Sequence, residues 1–322
     1  MKWVYNTRAS TILYSYLLKN KGDGLWMIPV NVCHLIPACF IKADCPFEII
    51  DVSKKTLAID ENIVLEKLLK NPKKYSGILT VRNYGKETGR VSFFSKIKKL
   101  TPHLKIIDDA CLGYPDFNNK LPKEVNLELY STGYSKAIDI GYGGFGKIHT
   151  SDSLENIMDF NFDEKSLIEM NQHYINSINN STSINEAIFK SNWLNSESID
   201  VKNYKKEVNV FFPKAKSHKT KLNKIYDDLL LPTFKENRLS VHWRYNLRLA
   251  NPNFVLDKIN QEGLFASRHY YPLNKVFTKN LCPEWETAFS FMLNLFNDFR
   301  FNEENARDCC KIINHYGKVV VN

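Results

Sequence analysis

The chain has 322 residues, of which 43% are hydrophobic and 25% charged. This is ordinary for a soluble globular protein and is long enough for two domains, which excludes a scaffold that needs staples to bury a core. The net charge of +9 comes from lysines spread along the chain, densest from Lys202 to Lys224. No basic-aromatic motif of an RNA-binding type accompanies them, so they read as a solvated basic face that attracts an anionic small substrate, with no nucleic-acid partner.

The seven cysteines are Cys33, Cys39, Cys45, Cys111, Cys282, Cys309 and Cys310. Their odd number, and the lack of any paired or metal-finger spacing, predict reduced thiols and no metal site. Met1-Lys2-Trp3 leads into a polar stretch and not the apolar core of a leader. The longest apolar run, Leu25 to Ile41, is broken by Pro29, Asn31, His34 and Pro37 and is too short to cross a bilayer. A cytoplasmic protein with no membrane partner is expected.

In chain order, Ser10 to Lys19 reads as a helix that ends near Gly22, and Leu25 to Pro29 as a short apolar strand. Val32 to Lys42 reads as a helix, Phe47 to Val52 as a strand, Ile63 to Leu69 as a helix and Ser76 to Val81 as a buried strand. Phe93 to Lys99 is a predicted helix. Leu104 to Ile107 is a strand that stops at Asp108-Asp109, and Val125 to Ser131 and Phe145 to Thr150 are further strands. Strands separated by helices of about ten residues imply a mostly parallel, doubly wound sheet. In such a sheet ligands bind beyond the carboxyl ends of the strands. Asp109 and Ser131 both fall at such ends.

From Ser151 to about Ser198 the pattern is helical, and Ile199 to Lys224 is lysine-rich and less regular. The domain boundary is placed there, giving a large α/β domain over 1–205 and a small α+β domain over 206–322. The small domain is read as a strand (Val241 to Ala250), a helix (Asn253 to Gln261), a strand near Leu264 to Tyr271 and a final helix (Asn302 to Tyr316).

The chemistry concentrates around Lys136. It follows Ser131 by five residues and precedes Gly143-Gly144, and the carboxylate pair Asp108-Asp109 lies 27 residues upstream of it. A lysine, a strand-end acid, hydroxyls and glycines in this order suggest a pyridoxal phosphate site. The cofactor needs an amine for its Schiff base, an anion at its ring nitrogen, donors for its phosphate and a group against its ring. Lys136 is the candidate amine and Asp109 the candidate anion. Ser131 and Ala9-Ser10-Thr11, at the start of the first helix, are candidate phosphate contacts. The glycines would let the backbone approach a ligand. One acid of the pair is free to cap the next turn.

These residues resemble the DegT/DnrJ/EryC1/StrS family of pyridoxal phosphate-dependent sugar aminotransferases. Arg8 to Leu13 looks like its phosphate-contacting helix start, and Ile28 to Cys33 like its "PxxT/C" segment. Ile49 to Val52 with Thr56 to Asp60 is similar to "fvDvdpdTlnid", and Val81 to Gly85 to "vHlyG". Ile106 to Cys111 matches "viEDaA". Ser131 to Lys136 with Gly143-Gly144 matches "fSfxxxK" and "GG". Arg268 to Asn274 resembles "hYxPLH", and Phe160-Asn161-Phe162 is what remains of "GyNyR". Leu112 replaces the family's Gln or His.

The resemblance implies the aspartate aminotransferase type I fold, a homodimer, and pyridoxal phosphate held by Lys136 and Asp109, with Ser131 at the phosphate. It also implies Cys33 or His34 over the ring, where the family often has an aromatic, and His269, Tyr270 and Asn161 on the substrate side. Glutamate is the implied amino donor and a nucleotide-linked keto sugar the implied acceptor, in aminosugar or surface polysaccharide biosynthesis. Two alternatives stay open: the same chemistry on a non-nucleotide ketone, and a non-catalytic regulatory protein that binds the cofactor.

Overall fold

The computed structural model describes residues 1–85, 90–150, 154 and 160–321. A seven-stranded sheet forms the larger part. It is built from β1 (Lys2–Asn6), β2 (Leu25–Pro29), β3 (Phe47–Ile50), β4 (Tyr75–Val81), β5 (Lys105–Asp109), β6 (Leu127–Ser131) and β7 (Gly144–Ile148). Their order across the sheet is β1-β7-β6-β5-β4-β2-β3. The strands from β2 to β6 pair in parallel, whereas β7 runs antiparallel to both β6 and β1. Helices α1 (Ala9–Asn20), α2 (Leu35–Lys42), α3 (Glu61–Lys70) and α4 (Val91–Leu100) connect the strands. The expected doubly wound architecture is the one found.

Strand β1 was not anticipated. Its register runs from Lys2 opposite Ile148 to Asn6 opposite Gly144. Only Val4 and Asn6 of its five residues are buried, so its sequence carries little apolar signal. The expected helix over Val32 to Lys42 starts later, at Leu35, after β2 has ended at Pro29.

Past the first sheet come α5 (Glu164–Asn179) and a short 3-10 helix (Glu186–Lys190). Of the stretch expected to be helical from Ser151 to about Ser198, 151–153 and 155–159 lie outside the described residues, and the rest is helical only in these two segments. The lysine-rich stretch, expected to be irregular, is one 29-residue helix, α6 (Val201–Leu229). Asp200 caps it by accepting from the N–H groups of Lys202 and Asn203. Its buried face is sparse (Tyr204, Val208, Ala215, Lys219, Leu222, Ile225 and Tyr226), and lysines between those positions mask the period. The expected boundary, residue 205, therefore falls inside a helix. Tyr204 and Val208 pack with Tyr130 and Phe145 of the large sheet, whereas Leu222, Ile225 and Tyr226 join the core of the second sheet.

That second sheet has three strands, β8 (Tyr245–Arg248), β9 (Ala266–Ser267) and β10 (Met292–Leu295), in the order β8-β10-β9. The expected strands around β8 and β9 were drawn too long, and β10 was not foreseen. Helices α7 (Pro252–Gln261), α8 (Asn274–Phe277), α9 (Pro283–Ser290) and α10 (Glu303–Tyr316) complete this part. Among the described residues, no helix is long and apolar enough to cross a membrane.

Sequence reasoning gave the glycine pair at the start of β7 a ligand, but it serves packing. A Cβ on Gly143 would lie 2.3 Å from the Tyr204 ring, and one on Gly144 2.7 Å from the Ala9 nitrogen. Gly143 also has φ +90°, while Gly141, at φ +84°, has nothing within 4 Å of where its Cβ would be. Gly141→Ala should cost only backbone strain, about 1 kcal/mol. Gly143→Ala should cost about 1–3 kcal/mol more through overpacking. Urea unfolding of the two variants measures the difference, and equal costs would contradict this packing.

Candidate active site

Strand parity sorts the two acids at the end of β5. Asp108 pairs across to Glu128 and Asp109 to Leu129, so the acids project to opposite faces of the sheet. Asp108 is taken up by structure. It accepts from Arg82 Nε at 2.9 Å and from Thr80 Oγ1 at 3.2 Å. Arg82 and Lys147 also neutralise Glu128 on that face, Lys147 at 2.9 Å. Burial pushes the Asp108 carboxyl up, against the pull of Arg82.

Asp109 faces the other way. One of its oxygens accepts from the Cys111 N–H at 2.8 Å, and the Cys111 thiol also lies against the carboxylate. It lines a cavity of about 100 Å³ together with Ala9, Ser10, Cys33, Leu129, Ser131 and Lys136, among others. Five candidate elements far apart in sequence therefore converge: the start of α1, the turn after β2, the ends of β5 and β6, and Lys136.

At the mouth of this cavity, α1 begins with no side-chain cap and no acid in its first turn. Its free N–H groups thus present positive potential with no negative side chain beside them. Thr11 is directed elsewhere, since its hydroxyl donates to the Asn195 carbonyl at 2.5 Å. The carbonyls of Ser196 and Glu197 accept from the Asn6 and Thr7 side chains. Residues 195–197 thus fasten the chain where α1 begins. Sequence reasoning missed this, because backbone carbonyls leave no residue-type signal.

Lys136 sits in the connection from β6 to β7. Thr132 closes the stem of this loop: its N–H donates to the Gly143 carbonyl at 2.9 Å, and its hydroxyl lies 2.9 Å from the Tyr204 hydroxyl. The loop is then gripped by the second sheet's part of the chain. Trp243 Nε1 donates to the Ser135 carbonyl at 2.5 Å, and Arg244 Nη2 donates to Ser135 Oγ at 2.6 Å. Ser135 has φ +62°, an uncommon conformation for a residue with a side chain. Arg244 is buried and pairs with Asp298 at 2.8 Å. Arg300 bridges Asp298, at 2.9 Å, to Asp139, and Asp139 in turn accepts from the Ser135 N–H at 2.6 Å. Burial pushes the Asp298 carboxyl up, but Arg244, Lys219 and Arg300 outweigh it and hold it below the usual range.

A second cavity, of about 250 Å³, opens on the other side of the loop and is lined by Lys136, Phe211, Lys219, Phe299 and Arg300, among others. Lys219 is the one buried lysine of the basic helix. It donates to the Trp243 carbonyl at 3.3 Å and to Asn297 Oδ1 at 2.9 Å. Burial, helped by Arg244, lowers its amine to about 7.

The remaining candidates surround these cavities at different depths. Cys33 Sγ lies 4.0 Å from His34 Nδ1. Burial alone would raise the Cys33 thiol, but His34, Lys136 and the Leu35 N–H overcome it and bring it down to about 7. His34 is stacked on Tyr174 with centroids 4.1 Å apart, and its Nε2 meets Asn171 Oδ1 at 2.8 Å. His269 and Tyr270 do not line the Lys136 cavities. Tyr270 stacks on Trp243 with centroids 5.5 Å apart, and His269 lies beside the same indole. Burial, and then the charges of Arg244, His34 and Lys136, push His269 down to about 4, so it is neutral near pH 7. Asn161 is exposed and lines neither cavity.

The sequence matches no protein-family model and no curated protein. Solved structures match over nearly its whole length. The sugar aminotransferase CalS13 from Micromonospora echinospora is 13% identical, with 98% of this chain and 87% of that one covered and a TM-score of 0.71. DesI, solved in the presence of its TDP-sugar product, is 13% identical, with coverages of 97% and 80% and a TM-score of 0.73. A DegT DnrJ EryC1 StrS aminotransferase from Brucella abortus is 14% identical, with coverages of 98% and 86% and a TM-score of 0.63. At these identities the likeness is one of fold. The chain has the fold of pyridoxal phosphate-dependent aminotransferases, as its sequence led us to expect.

Arg244 is the residue through which the loop grip is most directly tested. Arg244→Met keeps much of the volume but removes the donors to Ser135 and Asp298, while Arg300 still pairs Asp298. The expected cost is about 2–4 kcal/mol, near that of breaking a buried ion pair, read from urea unfolding. Amide exchange at 133–139 should speed up as well. Unchanged exchange there would show that the loop does not depend on this grip.

Proposed function

We propose that this protein is a pyridoxal phosphate-dependent aminotransferase. Its reaction moves an amino group from an amino acid, glutamate by the resemblance, to a nucleotide-linked keto sugar. The products would serve aminosugar or surface polysaccharide biosynthesis. The observation that carries this reading is the convergence of Ala9, Ser10, Asp109, Ser131 and Lys136 on one cavity. The solved aminotransferases of the same fold support it, including DesI, which was studied with a TDP-sugar.

The residues present fit the cofactor. The uncapped start of α1 with the Ser10 and Ser131 hydroxyls makes a site for a phosphate dianion. Asp109 brings into the cavity a carboxylate with no cationic partner among the described residues, suited to a protonated ring nitrogen. The Lys136 amine reaches the same space. When bound, pyridoxal phosphate supplies an electron sink that makes the hydrogen on the nitrogen-bearing carbon of a substrate acidic.

The chain's own residues do the rest. Lys136 Nζ would hold the cofactor and, once released, would carry the proton from the nitrogen-bearing carbon of the amino-acid donor toward the cofactor, and in the second half-reaction from there to the acceptor carbon that receives the amine. Asp109 supplies the fixed negative charge in a buried setting, where it acts strongly. Trp243, Arg244 and Asp139 keep the Lys136 loop in register through Ser135. The second cavity gives Lys136 an approach lined by Phe211, Phe299, Lys219 and Arg300, which joins aromatic faces to cations and suits an anionic substrate. His269 and Tyr270, which the resemblance puts on the substrate side, lie next to Trp243. We further propose a homodimer located in the cytoplasm. The division into a large and a small domain is placed along α6, whose two halves serve different cores.

The test is the amino-donor half-reaction. With pyridoxal phosphate and glutamate, the protein should convert the cofactor to its amine form and release 2-oxoglutarate. Lys136→Ala should abolish this, and Asp109→Asn should slow it by about 100-fold or more, the scale of losing one preorganised electrostatic group. A Lys136→Ala variant that transaminates normally would overturn the assignment. Cofactor binding with no half-reaction for any amino acid would leave the regulatory reading in its place.

A further inference from the structure

Cys33 stands apart from the other six cysteines. They are all buried, whereas Cys33 is half-buried and opens into the cavity that holds Lys136. It is also part of a built cluster. His34 Nδ1 lies 4.0 Å from its sulfur, and His34 is itself fixed by Asn171 and by the Tyr174 ring. Lys136 shares its cavity and adds a positive charge.

We propose that Cys33 is a covalent modification site for small electrophiles, set by the Cys33–His34–Lys136 cluster, and that its modification closes the chamber around Lys136. The second part rests on the cofactor reading given above. The step is a simple displacement. The thiol proton passes to His34, and the sulfur attacks the electrophilic carbon. A sulfur–carbon bond forms, the leaving group departs with its electron pair, and no redox partner is needed. The added group then occupies a cavity of about 100 Å³.

The electrostatics agree with the geometry. Burial raises the Cys33 thiol, but His34, Lys136 and the Leu35 N–H bring it to about 7. Burial raises all the others: Cys45, Cys282, Cys309 and Cys310 to about 12, Cys39 and Cys111 further still. The further titratable groups that sense the Cys33 charge are Tyr174, Tyr270, Cys39 and Cys111, all pushed up by burial and so neutral near pH 7. Asp109 is the negative group in the same cavity.

Timed iodoacetamide labelling of the full chain without cofactor, read by peptide mass spectrometry, tests the site without any activity assay. Cys33 should react at least about 10-fold faster than any other cysteine at pH 7, as expected for an accessible thiolate. Its rate should titrate with a midpoint near 7, and the midpoint should rise in both His34→Gln and Lys136→Met. Labelling of Cys33 no faster than the rest, or a midpoint unmoved in both variants, would overturn the proposal.

Pyridoxal phosphate added first should slow Cys33 labelling, and prior labelling should prevent cofactor binding as read by absorbance. Cofactor that binds equally well before and after labelling would overturn the claim that modification closes the chamber. Fast labelling in a protein that binds no pyridoxal phosphate at all would sustain the cysteine site and overturn the function proposed above.

Discussion

The site depends on one loop held from two sides. The chain between β6 and β7 carries Lys136, and Thr132 ties its stem to Gly143 and to Tyr204. Trp243 and Arg244 reach across from beside the second sheet and fix Ser135, the residue before the lysine. Neither grip is local in sequence, because more than a hundred residues separate Ser135 from Arg244. A lysine that must address one small cavity cannot be left on a free loop, since small misplacements of a reacting group carry large kinetic costs. A chain of charges enforces the placement. Arg244, Asp298, Arg300 and Asp139 are linked up to the Ser135 N–H, and the buried pair Arg244–Asp298 would be costly to bury with either partner missing.

The strands contribute through their two-residue period. Asp108, Glu128 and Tyr130 share the face with Arg82, where the charges neutralise one another and hold β4, β5 and β6 in register. Asp109, Leu129 and Ser131 share the opposite face and line the cavity. Adjacent residues of like chemistry thus do different work. Asp108 is a structural acid because Arg82 consumes it, and Asp109 is available because little in the chain does.

Much of this was legible in the sequence because it is local. Apolar runs that end in acids or hydroxyls marked β5 and β6, and Lys136 with its neighbours marked the loop. What was not legible is relational. Strand β1 is stabilised by β7 and not by its own pattern. Helix α6 hid behind its lysines, since its two halves bury against two different cores that only the fold defines. The hydroxyl of Thr11 looked as available as that of Ser10, but the backbone at Asn195 claims it. The glycines at the start of β7 signalled a close approach correctly, yet the approaching groups are Tyr204 and Ala9. The Trp243–Arg244 grip had no sequence signature at all.

The central claim is that Lys136, among more than forty lysines and arginines, is the residue that carries the cofactor. Borohydride reduction of the protein loaded with pyridoxal phosphate, followed by peptide mapping, addresses this directly. The account predicts a single pyridoxyl-bearing peptide, with the label on Lys136. A label on Lys219, on the surface lysines of α6, or spread over many sites would contradict it.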